Sequence, residues 1–130
     1  MLDTNFLLIP AQFGVDIFQE FDRLVTQKFE LLILNDVIEE LNELATISIK
    51  RKKEVQIAFE LAKRCKILET NIPEVKLDDT DDAIFHHAVS KKWIVATNDR
   101  KLRKKLRTHQ IPVIYLRKKA FLAIDGEIPL

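Results

Sequence analysis

The stretch Leu77–Arg107, LDDTDDAIFHHAVSKKWIVATNDRKLRKKLR, decides how the rest of the chain is read. It opens on carboxylates, runs through an apolar segment that stops at one more carboxylate, and then turns densely basic. Ile84, Phe85 and Ala88 recur at helical spacing, which predicts a helix over Thr80–Lys91. At roughly 100° per residue, Asp81 falls on the middle of that apolar face in the first turn, with Asp82 to its side. The helix dipole favours an acid aimed inward there, but such an acid still needs a partner or a metal. Trp93–Thr97 predicts a buried strand ended by Asn98-Asp99. Arg100–Arg107 predicts a short helix with Leu102 and Leu106 inward and every other position basic.

Upstream, Met1–Asn5 reads as the end of a strand entering a loop. Only two residues precede Asp3, so the strand is clipped or begins upstream. Asp16–Phe29 predicts a helix on Ile17, Phe18, Phe21, Leu24 and Val25. Leu31–Leu34 is a short apolar strand, and Asn35-Asp36 suit the cap of a helix over Asp36–Ala45. In that helix Glu39 and Glu43 oppose the apolar face, while Glu40 lies on its flank and looks toward a neighbouring cleft. Ser48 suits the cap of a helix to Cys65, with Ile57, Ala58, Leu61 and Ala62 inward. Ile67–Glu69 reads as an edge strand and Asn71–Leu77 as a loop. Pro112–Leu116 and Ala120–Ile124 predict the last two strands. Strands alternating with helices imply a mainly parallel sheet covered on both faces, with the functional crevice at the strands' carboxyl ends. Asp3 and Asp99 both stand at such ends, and share one rim if their strands are neighbours.

A chain of 130 residues, 47% hydrophobic, fits one domain over 1–130 with its own core. No apolar run approaches the ~20 residues of a membrane helix. The single cysteine, Cys65, excludes an internal disulfide framework. It reads as a small core residue in a protein of the reducing cytoplasm. Net charge is only +1, but its distribution is one-sided. His86–Phe121 holds eleven Lys/Arg against Asp99 alone, and Ser48–Lys66 holds seven against Glu54 and Glu60. An acidic patch beside a basic surface follows.

Asp3, Glu40, Asp81 and Asp99 are the acids that pattern directs to one rim. Ionised carboxylates at close range repel, and one or two Mg²⁺ or Mn²⁺ ions, which prefer oxygen ligands, relieve that conflict. Such ions activate water and stabilise the leaving oxygen of a phosphodiester displacement. No zinc pattern competes, because His86 and His87 are adjacent rather than four apart and one cysteine is too few. Both histidines read as exposed polar residues within reach of RNA. Capping accounts for Asp78, Asp79 and Thr80. A cap at Asp99 and a turn at Asp3 are the plain alternatives for those two.

LDTN at Asp3, VIEEL at Glu40, TDDAI at Asp81 and IVATNDRKL at Asp99 together resemble the PIN-domain ribonucleases, in order and over essentially the whole chain. The resemblance implies a three-layer α/β/α fold around a central, mainly parallel sheet of four to five strands. It implies a Mg²⁺- or Mn²⁺-dependent endoribonuclease with Asp3, Glu40, Asp81 and Asp99 as catalytic metal ligands. Asn5, Thr97, Asn98 and Asp82 take supporting positions. Arg100, Lys101, Arg103, Lys104 and Arg107 become the RNA-holding residues, and single-stranded or looped RNA the substrate. VATNDR before a basic helix is similar to the branch that processes ribosomal RNA in the small-subunit processome. Lys101 departs from it, standing where that branch often carries an acid.

Three rivals stand beside this reading. One is a VapC-type toxin with an antitoxin partner, in place of a partner in RNA processing. Another is a PIN-like module that binds RNA or protein without cutting. The third, a phosphatase with an aspartyl nucleophile, needs an acid where the chain has Asn5. An exposed final strand would allow a homodimer.

Overall fold

The structure, a computed structural model, describes residues 1–70 and 79–128. The chain begins with two short helices, α1 (Thr4–Leu7) and α2 (Ile9–Phe13), followed by α3 (Ile17–Leu24). Strand β1 (Leu32–Leu34), helices α4 (Asn35–Leu44) and α5 (Ile49–Ala62), and strand β2 (Lys66–Leu68) come next. Helix α6 (Thr80–Lys91), strand β3 (Val95–Ala96), helix α7 (Arg100–Thr108) and strands β4 (Val113–Arg117) and β5 (Phe121–Asp125) complete it. The expected loop over 71–77 lies outside the described residues. Among the described residues no helix is long and apolar enough to cross a membrane.

The strands form a parallel β1–β2 pair and a three-stranded sheet of order β3-β4-β5. In the latter, β3–β4 is parallel and β4–β5 antiparallel. This corrects the expected single central sheet of four to five strands. The short segment Met1–Asp3 links the two parts: Leu2 donates to the Leu32 carbonyl at 2.9 Å and forms a parallel bridge with Ala96. Asp3 interrupts a longer pairing because it already caps α1, accepting from the Phe6 amide at 2.9 Å. The strand expected over Trp93–Thr97 shrinks to Val95–Ala96 for a related reason. On that side it pairs with Met1–Asp3, through Ala96 N to Met1 O at 2.7 Å and Asp3 N to Ala96 O at 3.2 Å.

Successive strand residues point to opposite faces, and here they divide between two cores. Leu2, Ile33, Ala96 and Ile114 join Phe6, Ile17, Phe21, Val37, Leu41 and Val55 beneath the first five helices. Met1, Leu34, Val95 and Val113 join Ile84, Ala88, Leu102 and Leu106 beneath α6 and α7. The strands are therefore sandwiched between two helical layers.

Helix α6 begins and ends where its periodicity predicts, capped by Asp79, whose Oδ1 accepts from the Asp82 amide at 2.9 Å. Helix α3 ends at Leu24 rather than at Phe29. Beyond Val25 the residues Thr26, Gln27 and Lys28 offer no apolar face to bury, so nothing sustains further turns. Ile57 is 46% exposed rather than inward. It lies about 100° from Ala58 on α5, whose inner face is Val55, Ala58 and Ala62. Glu54 is buried instead, accepting from Gln12 and Arg51 at 3.1 Å each. Asn35 and Asp36 do not cap α4; their carbonyl and carboxylate oxygens hold Thr70 just past β2. His86 and His87 are half-buried rather than exposed. His86 packs edge-on against Phe85, and the buried Nε2 of His87 has no hydrogen-bond partner among the described residues.

Candidate active site

The Leu2–Ala96 bridge makes the segments before Asp3 and Asp99 parallel neighbours, so both acids leave the sheet at the same end. Asp3 is buried, at 5% exposure. Its Oδ1 accepts from the Phe6 amide and its Oδ2 from the Thr97 hydroxyl. The same Thr97 oxygen accepts from the Asp99 amide at 3.0 Å. Thr97, fully buried at the end of β3, thus ties the two acids together through one hydroxyl. Asp99 caps α7, its Oδ1 accepting from the Leu102 amide at 2.9 Å. The capping role and a place at the rim coexist.

Asp81 enters from the first turn of α6 and Glu40 from the flank of α4. Both are half-buried. Their electrostatics tie the set together. Burial, with smaller contributions from the Asp81 and Asp99 charges and against the opposing Thr97 and Phe6 hydrogen bonds, pushes the Asp3 carboxyl up to about 7. Burial also pushes Asp81 up to about 6, reinforced by Asp99, Asp79, Glu40 and Asp82. Each of the four acids therefore feels at least one of the others. Burial is the main cause in both cases, and the neighbouring carboxylates add to it.

Among the described residues no three His, Cys, Asp or Glu side chains stand close enough to hold one metal ion. Asp3 and Asp81 lie within electrostatic reach of Asp99, and Asp81 of Glu40, without a closed coordination shell. In kind they fit a hard divalent cation: the donors are all carboxylate oxygens, and two of them have raised proton affinity.

The supporting positions divide. Thr97 bonds an acid directly. Asn98 instead accepts from the Leu116 amide at 2.7 Å and fixes the loop to β4. Asn5 is exposed, and among the described residues its side chain has no hydrogen bond to the four acids. Asp82 pairs with Lys105 at 3.9 Å, across α6 and α7.

The basic positions divide too. Arg100, Lys101 and Lys104 are exposed on α7 beside Asp99. Arg103 and Arg107 are half-buried and both reach Asp125 at the end of β5, at 3.0 and 3.3 Å. Asp125 is the residue that local pattern missed. Its partners lie about twenty positions away, and an Asp-Gly after a strand reads as an ordinary turn.

Residues 1–119 match the family described as PIN like domain. The chain belongs to the PIN-like domain family. Ribonuclease VapC4 of Methanocaldococcus jannaschii is 33% identical over 128 residues, which cover 97% of this chain and 95% of that protein. Among solved structures, the PIN domain endonuclease Utp24 is similar at a TM-score of 0.76 and 25% identity, over 98% of this chain and 90% of that one. VapBC2 from Rickettsia felis, solved bound to a DNA fragment from their promoter, is similar at a TM-score of 0.66 and 16% identity. That match covers 90% of this chain and 98% of the other, and speaks to fold alone. Family membership confirms the resemblance carried by the DTN and TNDR elements.

Proposed function

We propose that this PIN-family protein is a Mg²⁺- or Mn²⁺-dependent endoribonuclease acting on single-stranded or looped RNA, in ribosomal RNA processing or another RNA maturation. One observation carries the reading. Asp3, buried where its strand ends, and Asp81, half-buried in the first turn of α6, have raised proton affinity, chiefly from burial and further from nearby carboxylates, Asp99 for both and Glu40 for Asp81. Such a site is completed by added positive charge.

Asp3, Glu40, Asp81 and Asp99 would hold one or two cations. A divalent cation bound there supplies Lewis acidity toward water and phosphate oxygen. Thr97 aims Asp3 Oδ2 and holds the Asp99 main chain, so the two strand-end acids keep a fixed relation. The Leu102 amide orients the Asp99 carboxylate. Arg100, Lys101 and Lys104 stand where α7 leaves that rim and would hold the RNA backbone.

The test is a metal titration of cleavage over a panel of structured and unstructured RNAs, with wild type and Asp99→Asn. Metal-dependent cutting by the wild type alone supports the reading, and binding without cutting by both indicates a non-catalytic module.

The VapC4 relative favours a second reading, a toxin held by an antitoxin. Ile47 and Ile49, 68% and 78% exposed beside the basic run Lys50–Lys53, offer apolar surface to a protein partner. An antitoxin gene adjacent to this one would decide for it. A homodimer through β5 is less favoured. Arg23 donates to the Leu122 carbonyl at 2.6 Å, and Glu20 accepts from the Leu122 amide at 2.8 Å, so part of that edge is occupied.

A further inference from the structure

Arg103 and Arg107 lie one turn apart on α7 and share a single carboxylate. Arg103 Nε donates to Asp125 Oδ2 at 3.0 Å, and Arg107 Nε lies 3.3 Å from Oδ1. Each guanidinium is held on further sides. Arg103 lies 3.6 Å from the centroid of the Tyr115 ring. Arg107 Nη1 donates to the Ile111 carbonyl at 3.4 Å and passes over Gly126, where a Cβ would stand 2.4 Å from it. Arg100, Lys104 and Thr108 complete a shallow hollow of about 640 Å³ around them. Four cations there face the one carboxylate.

A plain surface ion pair needs none of this and contributes little. The placement matters more than the pairing. Asp125 accepts from Arg103 Nε and ion-pairs with Arg107 Nε, and among the described residues Arg103 Nη1 and Nη2 and Arg107 Nη2 make no hydrogen bond. Two guanidinium forks held at fixed spacing with terminal donors in hand match the oxygens of a phosphate.

We propose that this hollow is a subsite for an RNA backbone phosphate, with Arg103 and Arg107 as its donors and Asp125 as the residue that positions them. The inference rests on the RNA-cleaving reading and adds where the strand runs: from the acid rim along α7 toward the end of β5. It makes a prediction opposite in sign to simple electrostatics. Removing the Asp125 charge makes the face more positive, yet it releases the two forks.

The experiment is anisotropy binding of a fluorescein-labelled oligouridine over a salt series in EDTA, where no cleavage occurs, with melting curves for every variant. Asp125→Asn is expected to bind about tenfold more weakly than wild type. Its slope of log affinity against log salt should flatten by about 0.7, one phosphate contact. In an Arg103→Ala, Arg107→Ala background the same substitution should change nothing. Tighter or unchanged binding by Asp125→Asn overturns the positioning role. If that variant does not fold, the Arg103→Lys, Arg107→Lys double variant keeps all charge and loses the forks. Weaker binding by it supports the subsite and equal binding overturns it. Cleavage with Mn²⁺ is read separately. Wild type that binds with the expected pattern but never cuts removes the nuclease reading and leaves the subsite. Wild type that cuts while Asp125→Asn binds normally does the reverse.

Discussion

The two ends of β3's exit loop and α7 hold charge in opposite conditions. At the rim, Asp3, Glu40, Asp81 and Asp99 bring carboxylates together, and burial first, then neighbouring carboxylates, raises Asp3 to about 7 and Asp81 to about 6. Along α7 the cations are partly answered from within, Arg103 and Arg107 by Asp125 and Lys105 by Asp82. Lys105 also rests 4.1 Å from the centroid of the Phe85 ring. The difference separates two tasks. Charge left uncompensated marks a place completed by something the chain lacks, whereas charge braced by its own partners marks a surface arranged beforehand.

The sharpest way to break the contrast is to remove an acid. Asp99→Asn or Asp3→Asn should each lower metal-dependent RNA cleavage by more than ~10²-fold, beyond what loss of a supporting hydrogen bond costs. Both should keep the native circular dichroism spectrum. Undiminished cleavage by both variants would remove these acids from the metal site. Thr97→Val comes next. It deletes the hydroxyl that joins the two acids, and should lower cleavage about 10–100-fold while RNA affinity in EDTA stays unchanged. A loss of affinity instead would place Thr97 in substrate binding.

On the basic side, replacing Arg100, Lys101 and Lys104 by Ala should flatten the salt dependence of RNA binding by about 2 in log–log slope, three contacts at ~0.7 each. An unchanged slope would take these residues off the RNA path.

The smallest expected effect is on stability. Asp3 and Asp81 have folded-state values above those of the unfolded chain, so the folded state binds more protons in that interval. Stability without divalent cations should therefore be fullest below pH ~4 as far as these two groups decide it, and fall as pH rises toward and through 7. Asp3→Asn should remove much of that decline, raising stability at pH 8 by about 1–3 kcal/mol relative to wild type in chelator. Chemical denaturation at both pH values checks it, and an equal decline in the variant would mean that Asp3 ionises without strain.

Sequence reading succeeded where one local signal dominated. Helix α6 carries its own cap, apolar face and inward acid, and Thr80–Lys91 forms as its periodicity predicts. The strand-end acids were legible because each closes an apolar run, and the Leu2–Ala96 bridge satisfies the condition that their strands be neighbours. What was not legible depends on distant partners. The sheet divides where the short segment Met1–Asp3 spans the gap between β1 and β3, and no propensity reports that. The burial of Glu54 needs Gln12 from α2, and the engagement of Arg103 and Arg107 needs the end of β5. A helical wheel cannot tell a cation facing solvent from one facing an acid folded onto it.

The central claim is that the four acids form a site for a divalent cation. Calorimetric titration of Mn²⁺ into the metal-free protein at pH 6.5, in two buffers of different ionisation enthalpy, tests it most directly because it also counts protons. Saturable binding that releases about one proton, drawn from Asp3 and Asp81 and diminished in Asp3→Asn, is the result expected. No binding, or binding with proton release undiminished in that variant, would contradict the account.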